Sequence, residues 1–143
     1  MATSAWFSMS VHALALLSQN RDGYSSSFVA SSVNTHAVFL RRVLKRLVEV
    51  GLVETREGRD GGYRLAKLPE EILLSDVYKA MEMDRALAPS PAEPNPLCPV
   101  GSGMPTVFDA IAMEAEQAIL ETLQRYTVAD VAKGAISAGI LSQ

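Results

Sequence analysis

The sequence has 143 residues, of which 48% are apolar and 20% are charged, and its formal net charge is -3. This length fits one domain or one and a half, and the composition fits a compact, helix-rich protein and excludes a low-complexity disordered chain. No apolar run approaches the roughly 20 residues that span a bilayer, and the single cysteine cannot form an intrachain disulfide. We therefore expect a cytoplasmic protein with no membrane partner.

The first helix is predicted from Ser4 to Asn20, because apolar side chains recur near helical spacing and a turn ending in Gly23 follows. His12 lies within this pattern, and nothing near it has metal-ligand spacing. We expect His12, like Trp6, to be a packing residue.

A short second helix is predicted from the serines at 25–27 to about Ser32, and a third helix over residues 37–49. A brief turn, Val33 to His36, joins the two. Two helices connected in this way form a helix-turn-helix, whose second helix enters the major groove of duplex DNA.

The third helix has two different faces. One is an apolar stripe at three-and-four spacing, formed by Leu40, Val43, Leu44 and Leu47. The other carries four cations, Arg41, Arg42, Lys45 and Arg46. Like charges at such spacing repel, so a fold that holds them together indicates a polyanionic partner, whereas the alternative is an ordinary solvated helix.

The distribution of charge favours the polyanion. Residues 34–67 contain eight basic and four acidic residues, a local charge of +4, so the rest of the chain carries -7. A basic segment in an otherwise acidic chain is typical of a protein with one surface for phosphates.

A β-hairpin is predicted next, with strands at 52–56 and 63–66 and a glycine-rich turn from Gly58 to Gly62. Arg59 is expected at its tip, where it can enter a minor groove, and Arg64 on the returning strand. A helix-turn-helix followed by a basic hairpin is a winged helix. The predicted fold class is therefore mainly α with a small β-hairpin wing, comprising a winged helix-turn-helix domain and a long dimerisation helix.

We divide the chain into a DNA-binding domain (1–68), a connecting helix (69–84), a proline-rich loop (85–104) and a dimerisation helix with a tail (105–143). The long helix is predicted from Pro105 to about Tyr126, before a short last helix capped by Thr127 and Asp130, and residues 134–143 are expected to fray. The apolar face of the long helix is too long for its own domain to cover, so we expect a homodimer. The interface residues expected are Phe108, Ile111, Ala115, Ile119 and Leu123.

Residues 33–83 resemble the winged-helix core of the Rrf2 family of bacterial transcription regulators, in the glycine-rich wing and again from Ile72 to Glu82. Asn34, Thr35, Arg41 and Arg42 are similar to the start of the recognition helix in the YwnA-like branch. The segment EPNPLCPVG at 93–101 also resembles that branch. The resemblance covers nearly the whole chain and implies the same dimer and double-stranded DNA as the partner.

Two departures from the family pattern matter. The branch often opens the recognition helix with Asn-Pro, whereas this chain has His36-Ala37, so Asn34 or Thr35 is expected to share the capping. His36 then becomes either a DNA contact or a weak cap. Members that hold an iron-sulfur cluster have several cysteines where this chain has only Cys98, so we expect no cofactor and no metal.

The sequence thus predicts a homodimeric repressor that contacts DNA through Asn34, Thr35, His36, Arg41, Arg42, Lys45, Arg59 and Arg64. The alternative is a winged helix used for protein contact without DNA binding. An enzyme with Cys98 as nucleophile is disfavoured because no base and orienting group accompany it. Cys98 is interpreted either as a redox-sensing thiol, modified by a small electrophile or oxidant, or as a small packing residue.

Overall fold

The structure, a computed structural model, describes residues 4–58, 61–81 and 85–142. The described residues form six α-helices and one two-stranded antiparallel sheet, so the predicted fold class, mainly α with a small β-hairpin wing, is confirmed. The helices are α1 (Ser4–Leu17), α2 (Ser26–Val33), α3 (Ala37–Glu49), α4 (Leu74–Ala80), α5 (Pro99–Leu123) and α6 (Val128–Leu141). The strands are β1 (Val53–Arg56) and β2 (Gly62–Leu65), and a 3-10 turn covers Pro69–Glu71.

The core lies between α1 and the elements that surround it. Helix α1 packs against α2, α3, α4, α6 and β2, which explains why it is apolar on nearly every side. Leu14, Val29 and Leu44 are fully buried there. Trp6 packs edge-to-face on Phe39 with ring centroids 5.4 Å apart, as predicted, and fixes the start of α1 against α3.

The wing is attached to the turn between α1 and α2. Backbone hydrogen bonds run in both directions between Tyr24 and Tyr63, each 2.9 Å long. Gly23 allows this approach, because it has φ +85° and a Cβ added to it would lie 2.0 Å from the Tyr63 carbonyl oxygen. The orientation of the hairpin relative to α3 therefore depends on this glycine.

The C-terminal third of the chain returns to the same core. The Leu74 amide donates to the Tyr126 carbonyl and the Val128 amide donates to the Ile72 carbonyl, both at 2.9 Å. Helix α5 packs on α4, where the Tyr78 hydroxyl donates to Glu116 Oε1 at 2.5 Å. Burial of Tyr78, with the hydrogen bond to Glu116 and its negative charge, raises the pKa of Tyr78 to about 12.

Several predicted boundaries are wrong. The proline-rich loop ends at Cys98, and α5 begins at Pro99 and includes Pro105, which was predicted to be the first residue. Pro99 fits the first turn because the amide that it lacks would have no partner there, and Pro105 removes only one backbone bond. Helix α6 continues to Leu141, although residues 134–143 were expected to fray.

Smaller shifts occur elsewhere. Helix α1 ends at Leu17, three residues before its predicted end. The connecting helix of 69–84 consists, as far as it is described, of the 3-10 turn and the seven residues of α4. No helix in the described ranges combines the length and apolar character that crossing a bilayer requires.

Candidate nucleic-acid interface

Helix α3 presents three cations to solvent. Its apolar stripe of Leu40, Val43, Leu44 and Leu47 is fully buried, as predicted, so the opposite face points outward. Arg41, Arg42 and Lys45 are exposed on that face. None of these three makes a hydrogen bond or ion pair with any residue that the structure describes.

The fourth cation of the helix has a different role. Arg46 is half-buried, and its Nε donates to the Ala80 carbonyl oxygen at 2.7 Å while its guanidinium approaches Glu49 at 3.4 Å. It therefore joins α3 to the end of α4. The prediction that Arg46 shares the solvent face with the other three cations is wrong, because its guanidinium turns towards the end of α4, where the Ala80 carbonyl accepts its hydrogen bond.

The start of α3 also differs from the prediction. Asn34 adopts φ +61° and its amide donates to the Ala30 carbonyl, so it ends α2 and does not cap α3. The Thr35 amide donates to the same carbonyl at 3.1 Å. His36 is the N-cap of α3, and its exposed side chain makes no capping hydrogen bond. The imidazole is therefore available to an external partner at the N-terminal end of the cationic face of α3.

The wing contributes less free charge than its sequence suggests. Arg64 Nε lies 2.6 Å from Glu54 Oε1, and the two residues are directly opposite each other on β2 and β1. Arg56 donates to the Asp22 carbonyl at 3.3 Å. Arg59, predicted at the tip, lies outside the described residues.

The sequence reading overlooked one exposed apolar side chain on the cationic face. Val38 is 64% exposed in the first turn of α3, one helical turn before Arg42. The signal was present in the sequence, because Val38 falls on the polar side of a helical wheel drawn through the apolar stripe.

Cys98 is the N-cap of α5 and is half-buried. Its sulfur accepts a hydrogen bond from the Gly101 amide at 3.4 Å. Hydrogen bonds from the backbone amides of Gly101 and Val100 lower the pKa of the Cys98 thiol. A cysteine at this position has more thiolate character than a free cysteine.

The predicted interface residues of α5 do not share one environment. Ile111 is exposed, whereas Phe108, Ala115 and Ile119 are half-buried, and Leu123 packs against the core of its own subunit. Phe108 lines a groove of about 1010 Å³ between α5 and the proline-rich loop. The exposed apolar residues on the same side of α5 as Ile111 are Val100, Met104 and Val107.

His12 is not a packing residue, contrary to the prediction. Its side chain is exposed, and its Nε2 lies 3.0 Å from the Ser32 hydroxyl. Because α1 is covered by α2 only in part, a histidine on its rim reaches solvent and still finds a polar partner.

A family model described as "Rrf2: Iron-dependent Transcriptional regulator" matches residues 3–134. The chain is similar to YwnA of Bacillus subtilis (strain 168), named as an HTH-type transcriptional regulator, with 32% identity over 123 residues, 86% of this chain and 91% of that protein. It is also similar to the HTH-type transcriptional regulator NsrR of Halalkalibacterium halodurans, with 34% identity over 125 residues, 82% of this chain and 80% of the relative. These relatives are named as regulators and not as enzymes.

Solved structures support the same fold. The structure named T. potens IscR superimposes with a TM-score of 0.71 at 23% identity, over 96% of this chain and 90% of that one. The oxidized form of Staphylococcus aureus CymR gives a TM-score of 0.69 at 19% identity, over 92% and 96% of the two chains.

The family description mentions iron, but the residues that the structure describes do not form a site that fits it. Cys98 is the single cysteine of the sequence, whereas a cluster needs several such ligands. In the described part of the chain, no group of three or more His, Cys, Asp or Glu side chains is arranged to hold a metal ion.

Proposed function

The chain belongs to the Rrf2 family of DNA-binding transcriptional regulators, in agreement with its likeness to YwnA, and on that premise we propose that it is a homodimeric repressor. In this proposal each subunit reads half of a pseudo-palindromic operator with α3 and the wing. Modification of Cys98 by an oxidant or electrophile then releases the DNA.

The observation that carries the DNA-binding part is the group of unpartnered cations on α3. Arg41, Arg42 and Lys45 are held on a rigid helix without a counter-charge among the described residues. Their mutual repulsion is relieved when phosphates approach and counterions are released. The proposed contacts are Asn34, Thr35, His36, Arg41, Arg42 and Lys45 at the major groove, and Arg59 and Arg64 at the wing.

Helix α5 supports the homodimer. It has 25 residues, and among them only Ala112 is buried in the isolated subunit. A second copy of α5 would cover the exposed apolar residues about a two-fold axis. Such a dimer displays two recognition helices, and for successive major grooves their separation is about 34 Å.

The environment of Cys98 supports the sensor. The thiolate can add to a quinone ring carbon, with the ring taking up the electron pair and then a proton. Alternatively, hypochlorite oxidises it and water completes the conversion to sulfenic acid, with release of chloride. Either product adds bulk or polarity next to Val100, at the end of the exposed apolar residues of α5. Modification would thereby change the angle between the two DNA-binding domains.

The DNA-binding part is tested by fluorescence anisotropy with a duplex from the gene's own promoter, titrated at several salt concentrations. We expect the affinity to fall steeply with salt, and the double variant Arg42→Ala, Lys45→Ala to bind weakly with a salt slope lower by about two, one unit for each phosphate contact. Lys133→Ala, an exposed cation on α6, is the matched control and should bind normally. Equal binding by the double variant would contradict the proposal.

The sensor part is tested by treating wild type and Cys98→Ser with hypochlorite or a quinone, confirming modification by mass, and measuring operator affinity. We expect affinity to fall only in the wild type. A wild type that keeps its full affinity after its thiol is modified would leave Cys98 as a packing residue.

A further inference from the structure

The DNA-facing side of α3 contains an apolar side chain that the fold does not use, and we infer that Val38 reads the methyl group of a thymine in the operator. This inference rests on the proposed function, in which α3 enters the major groove. The inference extends the proposed function by naming a base that α3 selects.

Val38 has no packing role among the residues that the structure describes. Within α3, which the structure describes in full, it is the single large apolar side chain that is exposed, at 64%. Phe39 is half-buried against Trp6, and the four residues of the apolar stripe are fully buried. A β-branched residue is also a poorer helix former than alanine or lysine at a solvated position.

The geometry of the helix directs Val38 towards bases. It is the second residue of α3, and the first turn of a recognition helix is the part that contacts base edges. Arg42 and Lys45 follow it by four and seven residues, so they lie along the same side of the helix. When these cations contact phosphates on either side of the groove, the shorter Val38 side chain faces the groove floor between them.

The chemistry of the groove then selects one base. The C5 methyl of thymine is the apolar group that the major groove presents. Valine in a helix is held in one dominant rotamer, so its two methyls form a rigid apolar surface for that group. The acceptors of guanine and the amino donor of cytosine would instead lose water without gaining a partner from valine.

The test begins with selection of binding sites from random duplexes by the wild-type dimer, followed by replacement of each thymine in the preferred site with deoxyuridine. This replacement removes the methyl group and keeps the base pairing. We expect one symmetry-related pair of thymines to respond. Replacing the thymine of one half-site should lower the affinity of the wild type about fourfold, the effect of losing one buried methyl, and replacing both should lower it about fifteenfold. Val38→Ala should bind the thymine and uracil duplexes equally.

The matched control is Val50→Ala, which changes the same residue type at the opposite end of the helix. Val50 is the C-cap of α3 and is 37% exposed, so this variant should keep the full uracil penalty. Circular dichroism should show that both variants remain folded, because both side chains are exposed.

Three outcomes are decisive. A wild type that selects a site and tolerates uracil at every thymine overturns the inference and leaves the proposed function standing. A uracil penalty that persists undiminished in Val38→Ala also overturns it, because another residue then reads the methyl. A wild type that selects no sequence at all overturns the proposed function and the inference with it.

Discussion

Replacement of Ile111 by glutamate should separate the two subunits of the proposed homodimer without unfolding either of them. Ile111 is 53% exposed, on the same side of α5 as Val100, Met104 and Val107, whereas its neighbour Ala112 is 2% exposed. The exposed residues thus point away from the subunit that carries them. A charge at Ile111 should therefore affect association and leave the monomer core intact.

The magnitude follows from the exposed surface. The four residues Val100, Met104, Val107 and Ile111 are between 49% and 73% exposed. If a partner subunit covers them completely, each subunit buries the equivalent of rather more than two apolar side chains. This burial stabilises the dimer by about 4–5 kcal/mol per subunit, or about 9 kcal/mol in total. This is comparable to the lower estimates of the free energy that association costs, about 4–15 kcal/mol.

The variant should therefore be unable to dimerise at ordinary concentrations. Removing the half of Ile111 that a partner subunit would cover forfeits about 1 kcal/mol in each subunit. Two carboxylates that meet in a dry interface cost several kcal/mol more. The dissociation constant should rise at least about 100-fold, whereas the free energy of unfolding of the monomer should change by about 0.5 kcal/mol or less.

Sedimentation velocity measures the dissociation constant, at protein concentrations from about 0.1 to about 100 µM, the range in which such a shift is visible. Thermal unfolding measures the stability of the monomer. Met113→Glu is the matched control, because Met113 is 55% exposed on another side of the same helix. Ile119→Glu should behave differently and destabilise the subunit itself, since Ile119 is half-buried. If Ile111→Glu still sediments as a folded dimer, the interface lies elsewhere and the reasoning from exposure is refuted.

Three further predictions concern single residues. Gly23→Ala should lower the free energy of unfolding by about 3 kcal/mol or more in urea titrations, because its Cβ would lie 2.0 Å from the Tyr63 oxygen at a positive φ, and an unchanged midpoint would contradict this. Arg46→Met should cost about 1–2 kcal/mol of stability by removing the hydrogen bond to the Ala80 carbonyl, yet preserve the salt slope of DNA binding; a lower slope would show that Arg46 contacts phosphates. Because hydrogen bonding lowers the pKa of Cys98, its thiolate persists to lower pH, so iodoacetamide alkylation should reach half its maximal rate at a lower pH in native protein than in urea, and coincident profiles would show no such effect.

Much of the winged-helix architecture could be predicted because its signals are local. The buried stripe of α3 repeats at helical spacing within a few turns, so its inner and outer faces follow from the order of the residues alone. The same is true of the hairpin, whose strands flank a glycine-rich turn. Arg42 on the outer face and Arg64 on the wing are both exposed, as a contact with DNA requires, and that contact itself stays a prediction.

Other features depend on residues that are distant in the sequence. Arg46 lies on the polar side of a helical wheel, but the Ala80 carbonyl 34 positions later takes it away from the free cationic face. Similarly, α5 has apolar residues on several sides, and its packing on α4 determines that Ala112 is buried while Ile111 is exposed. A periodic pattern shows which residues share a face of a helix. Which face is covered, and which charge finds a partner, is decided only when segments far apart in the chain come into contact, because burial and pairing are properties of those neighbours and not of the residue itself.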